Sequence, residues 1–140
     1  MSTNEEGSAL ARPLDGLYVL VVEDYEDART LYTLLLTMSG AQVTAVGSVA
    51  EALEALERTR FDVIASDVNM PEADGYELIR RLRALAPEAG GATPAVAVTA
   101  HGSEEDREAL LAAGFHEYLE KPVDATALVD VVVRLAGGAK

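Results

Sequence analysis

The chain contains no cysteine, which excludes disulfides, zinc–thiolate sites and thiol nucleophiles, and fits a reducing cytoplasm. Positive charge is scarce: 11 Lys and Arg face 24 Asp and Glu, a net charge of −13. A surface this acidic repels phosphate backbones and anionic lipid, so neither nucleic-acid binding nor membrane insertion is expected. Lysine is scarcer still: the chain has two, Lys121 and Lys140, against nine arginines. Lys121 therefore stands out before any motif is considered. Long apolar runs are also missing. The longest, Leu17–Val22, is far too short to span a bilayer, and the acidic N-terminal stretch lacks the apolar core of a secretory signal. No fixed-period repeat is present, so a solenoid is not indicated.

What is present suits one α/β domain of 140 residues, 49% of them apolar. Residues 1–14 read as a flexible leader, 15–136 as the folded domain and 137–140 as a frayed end. Five short apolar runs are candidate strands: Leu17–Val22, Gln42–Val46, Phe61–Ser66, Ala95–Val98 and Phe115–Leu119. Near-continuous apolar strands suit a parallel sheet covered on both faces. Helical periodicity lies between and after them. Leu31, Leu34, Leu35 and Met38 follow the i, i+3, i+4, i+7 spacing, as do Leu128, Val131, Val132 and Leu135. Val49, Leu53 and Leu56 mark a third helix, and Leu78, Ile79, Leu82 and Leu85 a fourth. Leu110 and Leu111 mark a fifth. Ser48 with Glu51 and Asp74 with Glu77 read as capping boxes, with Gly75 opening its helix. Ser103 and Asp124 are N-cap candidates, and Gly40 and Gly114 helix ends. The order is (βα) repeated five times, a doubly wound parallel sheet in which ligands bind at the C-terminal strand ends.

Those ends carry the chemistry. Glu23 and Asp24 follow the first strand, Asp67 and Asn69 the third, Thr99 the fourth and Lys121 the fifth. Taken singly, each has a plain structural reading. Glu-Asp makes a solvated turn, Asp67 a cap, Thr99 an ordinary strand residue, Lys121 a surface lysine and Tyr118 a packed aromatic. His101 and His116 lack ligand spacing. Together the groups are complementary. Three carboxylates in one pocket repel, and a divalent cation relieves that repulsion. Oxygen ligands without Cys or clustered His favour Mg²⁺. A carboxylate so held can attack phosphorus, with Lys121 neutralising the transferring charge and Thr99 donating a hydroxyl.

In this order the segments VLVVED (19–24), SDVNMPEADG (66–75), VTA (98–100) and YLEKP (118–122) resemble the receiver domain of bacterial two-component response regulators. The resemblance implies the flavodoxin-like strand order 2-1-3-4-5. It implies that Asp67 is the phosphoacceptor and that Asp24, Asp67 and the Asn69 carbonyl hold Mg²⁺, with Glu23 acting through water. It further implies that Lys121 contacts Asp67 or the phosphoryl group, that Thr99 and Tyr118 form the switch, and that the Lys121–Pro122 bond is cis. A histidine kinase or histidine phosphotransfer protein is the expected donor. The surface of the fourth helix, fifth strand and fifth helix is expected to meet a downstream partner in the cytoplasm. Many receivers carry two aspartates where this chain has Glu23 and Asp24. Val123, the Leu14–Leu17 segment and the Gly114–Phe115 pair resemble receivers attached to hybrid sensor kinases. Ala100 leaves room beside the phosphoryl group, and Asn69 and His101 flank that opening, where they would tune hydrolysis. The resemblance implies a phosphoacceptor domain rather than a turnover enzyme. An aspartyl-nucleophile phosphohydrolase is disfavoured by Asn69, where such enzymes commonly carry a second Asp, and by the lack of room for a cap domain. A degenerate receiver acting only as a binding module is the other alternative. The complete set Glu23, Asp24, Asp67, Thr99 and Lys121 argues against it.

Overall fold

Strands form where apolar residues run unbroken, and each hands over to a helix with its own start signal. The computed structural model describes residues 12–69 and 74–138. The order is β1 (Tyr18–Val22), α1 (Glu26–Met38), β2 (Gln42–Val46), α2 (Val49–Arg58), β3 (Val63–Asp67), α3 (Gly75–Arg83), β4 (Ala95–Thr99), α4 (Glu104–Ala113), β5 (Glu117–Glu120) and α5 (Ala125–Gly138). A short 3₁₀ turn, Pro87–Ala89, precedes β4. The five strands are parallel in the order 2-1-3-4-5, the flavodoxin-like doubly wound arrangement. β1 and β3 lie side by side at the reversal of strand order, so Val22 pairs with Ser66 just before the acidic residues begin.

Alternation along the central strands builds two cores. Val19, Val21, Val63, Ala65 and Val96 face α1 and α5, where Leu36, Leu128, Val131 and Val132 complete the packing. Leu20, Val22, Ile64, Ala95 and Ala97 face α2, α3 and α4, meeting Ala52, Leu56, Leu78, Ile79, Leu82 and Leu110. The edge strands are wetter. β2 has no fully buried residue, and β5 exposes Glu120 while Arg134 grips Glu117 with bonds of 2.8 and 2.7 Å. The charged β5 edge discourages pairing with another chain.

The local signals act as expected. The Ser48, Asp74, Ser103 and Asp124 side chains accept from backbone N–H groups three residues on. Gly40 and Gly114 have φ of +107° and +127°. The Lys121–Pro122 bond is cis.

Several expectations need correction. β3 starts at Val63 and runs through Asp67, not Phe61–Ser66. Phe61 is buried, but as a residue before the strand, and the neighbouring Asp62 carboxylate accepts from the Tyr18 N–H. β5 likewise begins at Glu117 rather than Phe115, a core residue that precedes the strand. The helix marked by Leu31, Leu34, Leu35 and Met38 forms, but those residues divide between core and surface, with Leu35 packed against the α1–α5 core. Leu31, Leu34 and Met38 are 48, 53 and 66% exposed, while Tyr32 and Leu36 are buried. The helix is apolar over much of its circumference, so spacing alone permits either face, and the sheet selects Tyr32–Leu36. Leu14, assigned above to a leader, is fully buried and donates its N–H to the Ser39 carbonyl. α5 continues to Gly138, into the segment expected to fray. Residues 1–11 of the leader, residues 139–140 of the expected frayed end, and Met70–Ala73 of the 66–75 motif lie outside the described residues.

Candidate functional site

The C-terminal edges of β1 and β3 place three carboxylates together. Oxygens of Glu23, Asp24 and Asp67 all lie within 4.8 Å of one another. Asp67 is the last residue of β3 and 3% exposed, and Val68 continues the ladder by donating to the Val98 carbonyl. Its Oδ1 accepts from the Asn69 N–H at 3.3 Å and lies 3.3 Å from Lys121 Nζ. Glu23 is 1% exposed; one oxygen accepts from the Tyr25 N–H at 3.1 Å. The other, Oε1, has no hydrogen-bond partner and sits 3.6 Å from Lys121 Nζ. Asp24 is exposed. Lys121 follows β5, its N–H donating to the Thr99 carbonyl.

The close approach of α3 to Asp67 depends on Gly75. A Cβ there would lie 2.7 Å from the Asp67 carbonyl oxygen and 2.8 Å from the Val68 Cα, both backbone atoms. Gly75 is thus more than a helix-start residue, a role with no signal in composition or spacing. Thr99 is buried, and its hydroxyl donates to the His101 carbonyl at 3.2 Å and accepts the His101 N–H at 3.0 Å. Tyr118 is partly buried and packs against the α2–α3–α4 core. His116 is remote from the acidic residues. Its Nδ1 meets the Arg83 guanidinium and the Ala95 N–H.

Electrostatics follows from burial. Taking Glu23 out of water pushes its carboxyl from 4.5 up to about 7. The Asp67 charge adds to the rise, against the Tyr25 N–H bond and Lys121. Burial alone would lower Lys121, but attraction from Asp67 and then Glu23 leaves it raised. The lysine is one cation facing two buried carboxylates, with the exposed Asp24 beside them. An orphaned oxygen on a buried Glu, two further carboxylates and no sulfur or imidazole form a donor set that fits a hard divalent cation such as Mg²⁺.

Glu23 holds its proton more tightly folded than unfolded. Its contribution to stability is fully present below about 4.5 and is lost as pH rises through about 7. In EDTA, the thermal midpoint should therefore fall between about pH 5.5 and pH 8, and Mg²⁺ should restore more at the higher pH. Melting curves with and without Mg²⁺ check this. An identical pH slope in Glu23→Gln would contradict it.

Comparison with known proteins gives one consistent picture. The profile of the response regulator receiver domain matches residues 19–133. An uncharacterized 14.6 kDa protein of Leptolyngbya boryana is 48% identical over 81% of this chain and 86% of its own. A probable histidine kinase of Oryza sativa subsp. indica is 36% identical over 86% of this chain but only 13% of its own. The chain thus spans most of the first relative and a small part of the second. Among solved structures, the receiver domain of a Pseudomonas aeruginosa sensor histidine kinase, with a magnesium ion coordinated in its active-site cleft, is 36% identical. It superposes with a TM-score of 0.79 over 87% of this chain and 98% of its own.

Proposed function

The chain belongs to the response regulator receiver domain family of two-component signalling, and from that premise we propose that Asp67 accepts a phosphoryl group from a phosphohistidine protein. One observation carries the assignment. Asp67 is the carboxylate that meets both Lys121 and the Asn69 N–H, each 3.3 Å from Oδ1, in the pocket shared with Glu23 and Asp24.

Receiver domains bind Mg²⁺ at an acidic site. In this chain Asp24, Asp67 and the Asn69 carbonyl would hold it, with Glu23 contributing through water. Bound there, Mg²⁺ supplies charge neutralisation for the transferring group. An Asp67 oxygen attacks the phosphorus, the P–N bond of phosphohistidine breaks, and its electron pair returns to the imidazole. The product is an acyl phosphate on Asp67, which water later cleaves to free carboxylate and inorganic phosphate. Lys121 pairs with the phosphoryl oxygens as its contact with Asp67 is given up. Thr99 reaches the phosphoryl group by breaking its contact with the His101 carbonyl, which frees the loop before α4. Tyr118 fills the space vacated, and the α4–β5–α5 surface changes toward a downstream partner in the cytoplasm. No helix among the described residues is long and apolar enough to cross a membrane.

The exposed stripe on α1 suits docking of the phosphodonor. Leu31, Leu34 and Met38 lie on a helix that starts two residues after Asp24, at the spacing by which one helix grips another. Leu34→Glu should weaken phosphotransfer from a histidine phosphotransfer protein by about tenfold at subsaturating donor. Uptake from acetyl phosphate, which requires no docking, serves as the internal reference. Equal losses with both donors would contradict the docking role.

The functional assignment is tested by incubating the protein with Mg²⁺ and acetyl phosphate and recording intact mass. A gain of one phosphoryl group, absent in EDTA, is expected. No gain, together with no Mg²⁺-dependent binding of beryllofluoride, would leave a phosphorylation-independent interaction module. Continuous turnover of phosphate esters would instead indicate a hydrolase.

A further inference from the structure

The turn that carries Glu23 and Asp24 is held by a cation outside the phosphoacceptor chemistry. Arg29, in the first turn of α1, is partly buried. Its Nη1 donates to the Glu23 carbonyl at 2.9 Å and, more weakly, to the Asp24 carbonyl at 3.4 Å. Among the described residues it forms no salt bridge. The nearby Glu51 carboxylate is engaged by the Gly47 N–H at 2.8 Å.

The opposite wall explains how the guanidinium fits. A Cβ on Gly47 would lie 2.9 Å from Arg29 Nη1, so a methyl there would push the end of the flexible Arg29 side chain from its present place. Gly47 has no positive φ that would otherwise demand glycine. Its missing side chain lets the Arg29 guanidinium lie close against the backbone there. Arg29 alone reaches the two carbonyls, and Gly47, between β2 and α2, borders its guanidinium.

We infer that Arg29 is a positioning residue for the acid pair, preorganising Glu23 and Asp24 for the divalent cation, and that Gly47 serves by leaving room for it. The Glu23 N–H is fixed by the Val46 carbonyl and the Tyr25 N–H by Glu23 Oε2. Arg29 closes the turn from its carbonyl side. Without it, mutual repulsion among three carboxylates has only the solvent-exposed Asp24 to displace, and Asp24 swings outward. Arg29 also places a positive charge near a cation site, which opposes metal binding. Because the Asp24 side of the turn is open to water, that repulsion is screened. Loss of an outer partner that orients ligands typically lowers metal affinity about 10- to 100-fold, so positioning outweighs repulsion.

The inference rests on the Mg²⁺-dependent receiver reading, and the test separates the two. Mg²⁺ affinity is measured by calorimetry for the wild type, Arg29→Met, Arg29→Lys and Gly47→Ala, each melted in EDTA as well. Arg29→Met should weaken Mg²⁺ binding by about tenfold, and Gly47→Ala, which only displaces the guanidinium end, should weaken it less. Arg29→Lys, able to reach one carbonyl, should fall between, and apo thermal midpoints should stay near the wild type. Uptake from acetyl phosphate should recover at saturating Mg²⁺. An Arg29→Met affinity within about twofold of wild type overturns the positioning role. So does a loss of affinity that only tracks a fall in apo stability. A wild type that binds no Mg²⁺ overturns the receiver-site reading itself.

Discussion

Asp67→Asn is expected to abolish phosphoryl uptake while leaving the fold intact. The amide keeps the shape and volume of the carboxylate, so β3 and its ladder to β4 are undisturbed. It lacks the anionic oxygen that attacks phosphorus, and a neutral amide is a far weaker nucleophile. It also removes one of the two charges that Lys121 faces at 3.3 and 3.6 Å. Repulsion with Glu23 falls at the same time, so apo stability should hold or rise. Transfer from a radiolabelled phosphohistidine donor, alongside a melting curve, reads both effects. Uptake comparable to wild type would mean that another group is the acceptor. Lost uptake with a collapsed melt would mean that Asp67 is structural.

Glu23→Gln should separate function from stability in opposite directions. Glu23 is buried with an oxygen that has no hydrogen-bond partner, and burial holds its carboxyl at about 7. Near neutral pH the ionised form costs desolvation and repulsion from Asp67 that one shared lysine incompletely offsets. The amide removes that cost, so the EDTA melt should shift upward by several degrees, on the order of 1 kcal/mol. It also removes one negative charge from the cation site, and Mg²⁺ affinity should fall by roughly 10- to 100-fold. Calorimetry and melts at about pH 8 check both signs, where the wild-type carboxyl is ionised. A variant that is less stable in EDTA would show that the buried carboxylate supports the fold. Unchanged Mg²⁺ affinity would remove Glu23 from the site.

How far these properties were readable in advance depended on how local their cause is. The (βα)₅ alternation was legible because apolar runs, caps and end glycines are short-range signals, and the polar residues at strand ends could be gathered on one edge from topology. Strand limits were less so. Phe61 and Phe115 are apolar because they enter the core from loops, which spacing does not distinguish from strand positions. Which face of α1 is buried was not legible, because Leu31, Leu34 and Met38 satisfy helical periodicity as well as Tyr32 and Leu36 do, and only packing on the sheet decides between them. The candidate site was legible as a list of residues, and its energetics were not. That Glu23 is buried with an orphaned oxygen, that the Thr99 hydroxyl is held by His101, and that Gly75 lets α3 approach Asp67 are consequences of three-dimensional fit. Arg29 carried only a faint signal, a cation in the first helical turn after an acid pair.

The most direct test of the central claim is to locate the phosphoryl group chemically. Protein treated with Mg²⁺ and acetyl phosphate is reduced with tritiated borohydride, which converts an aspartyl phosphate to homoserine, and the label is mapped by peptide sequencing. Label confined to Asp67, and lost when Mg²⁺ is chelated, is the expected result. Label on Asp24, on Glu23 or elsewhere, or none from protein that has bound Mg²⁺, would contradict the assignment of Asp67 as the phosphoacceptor.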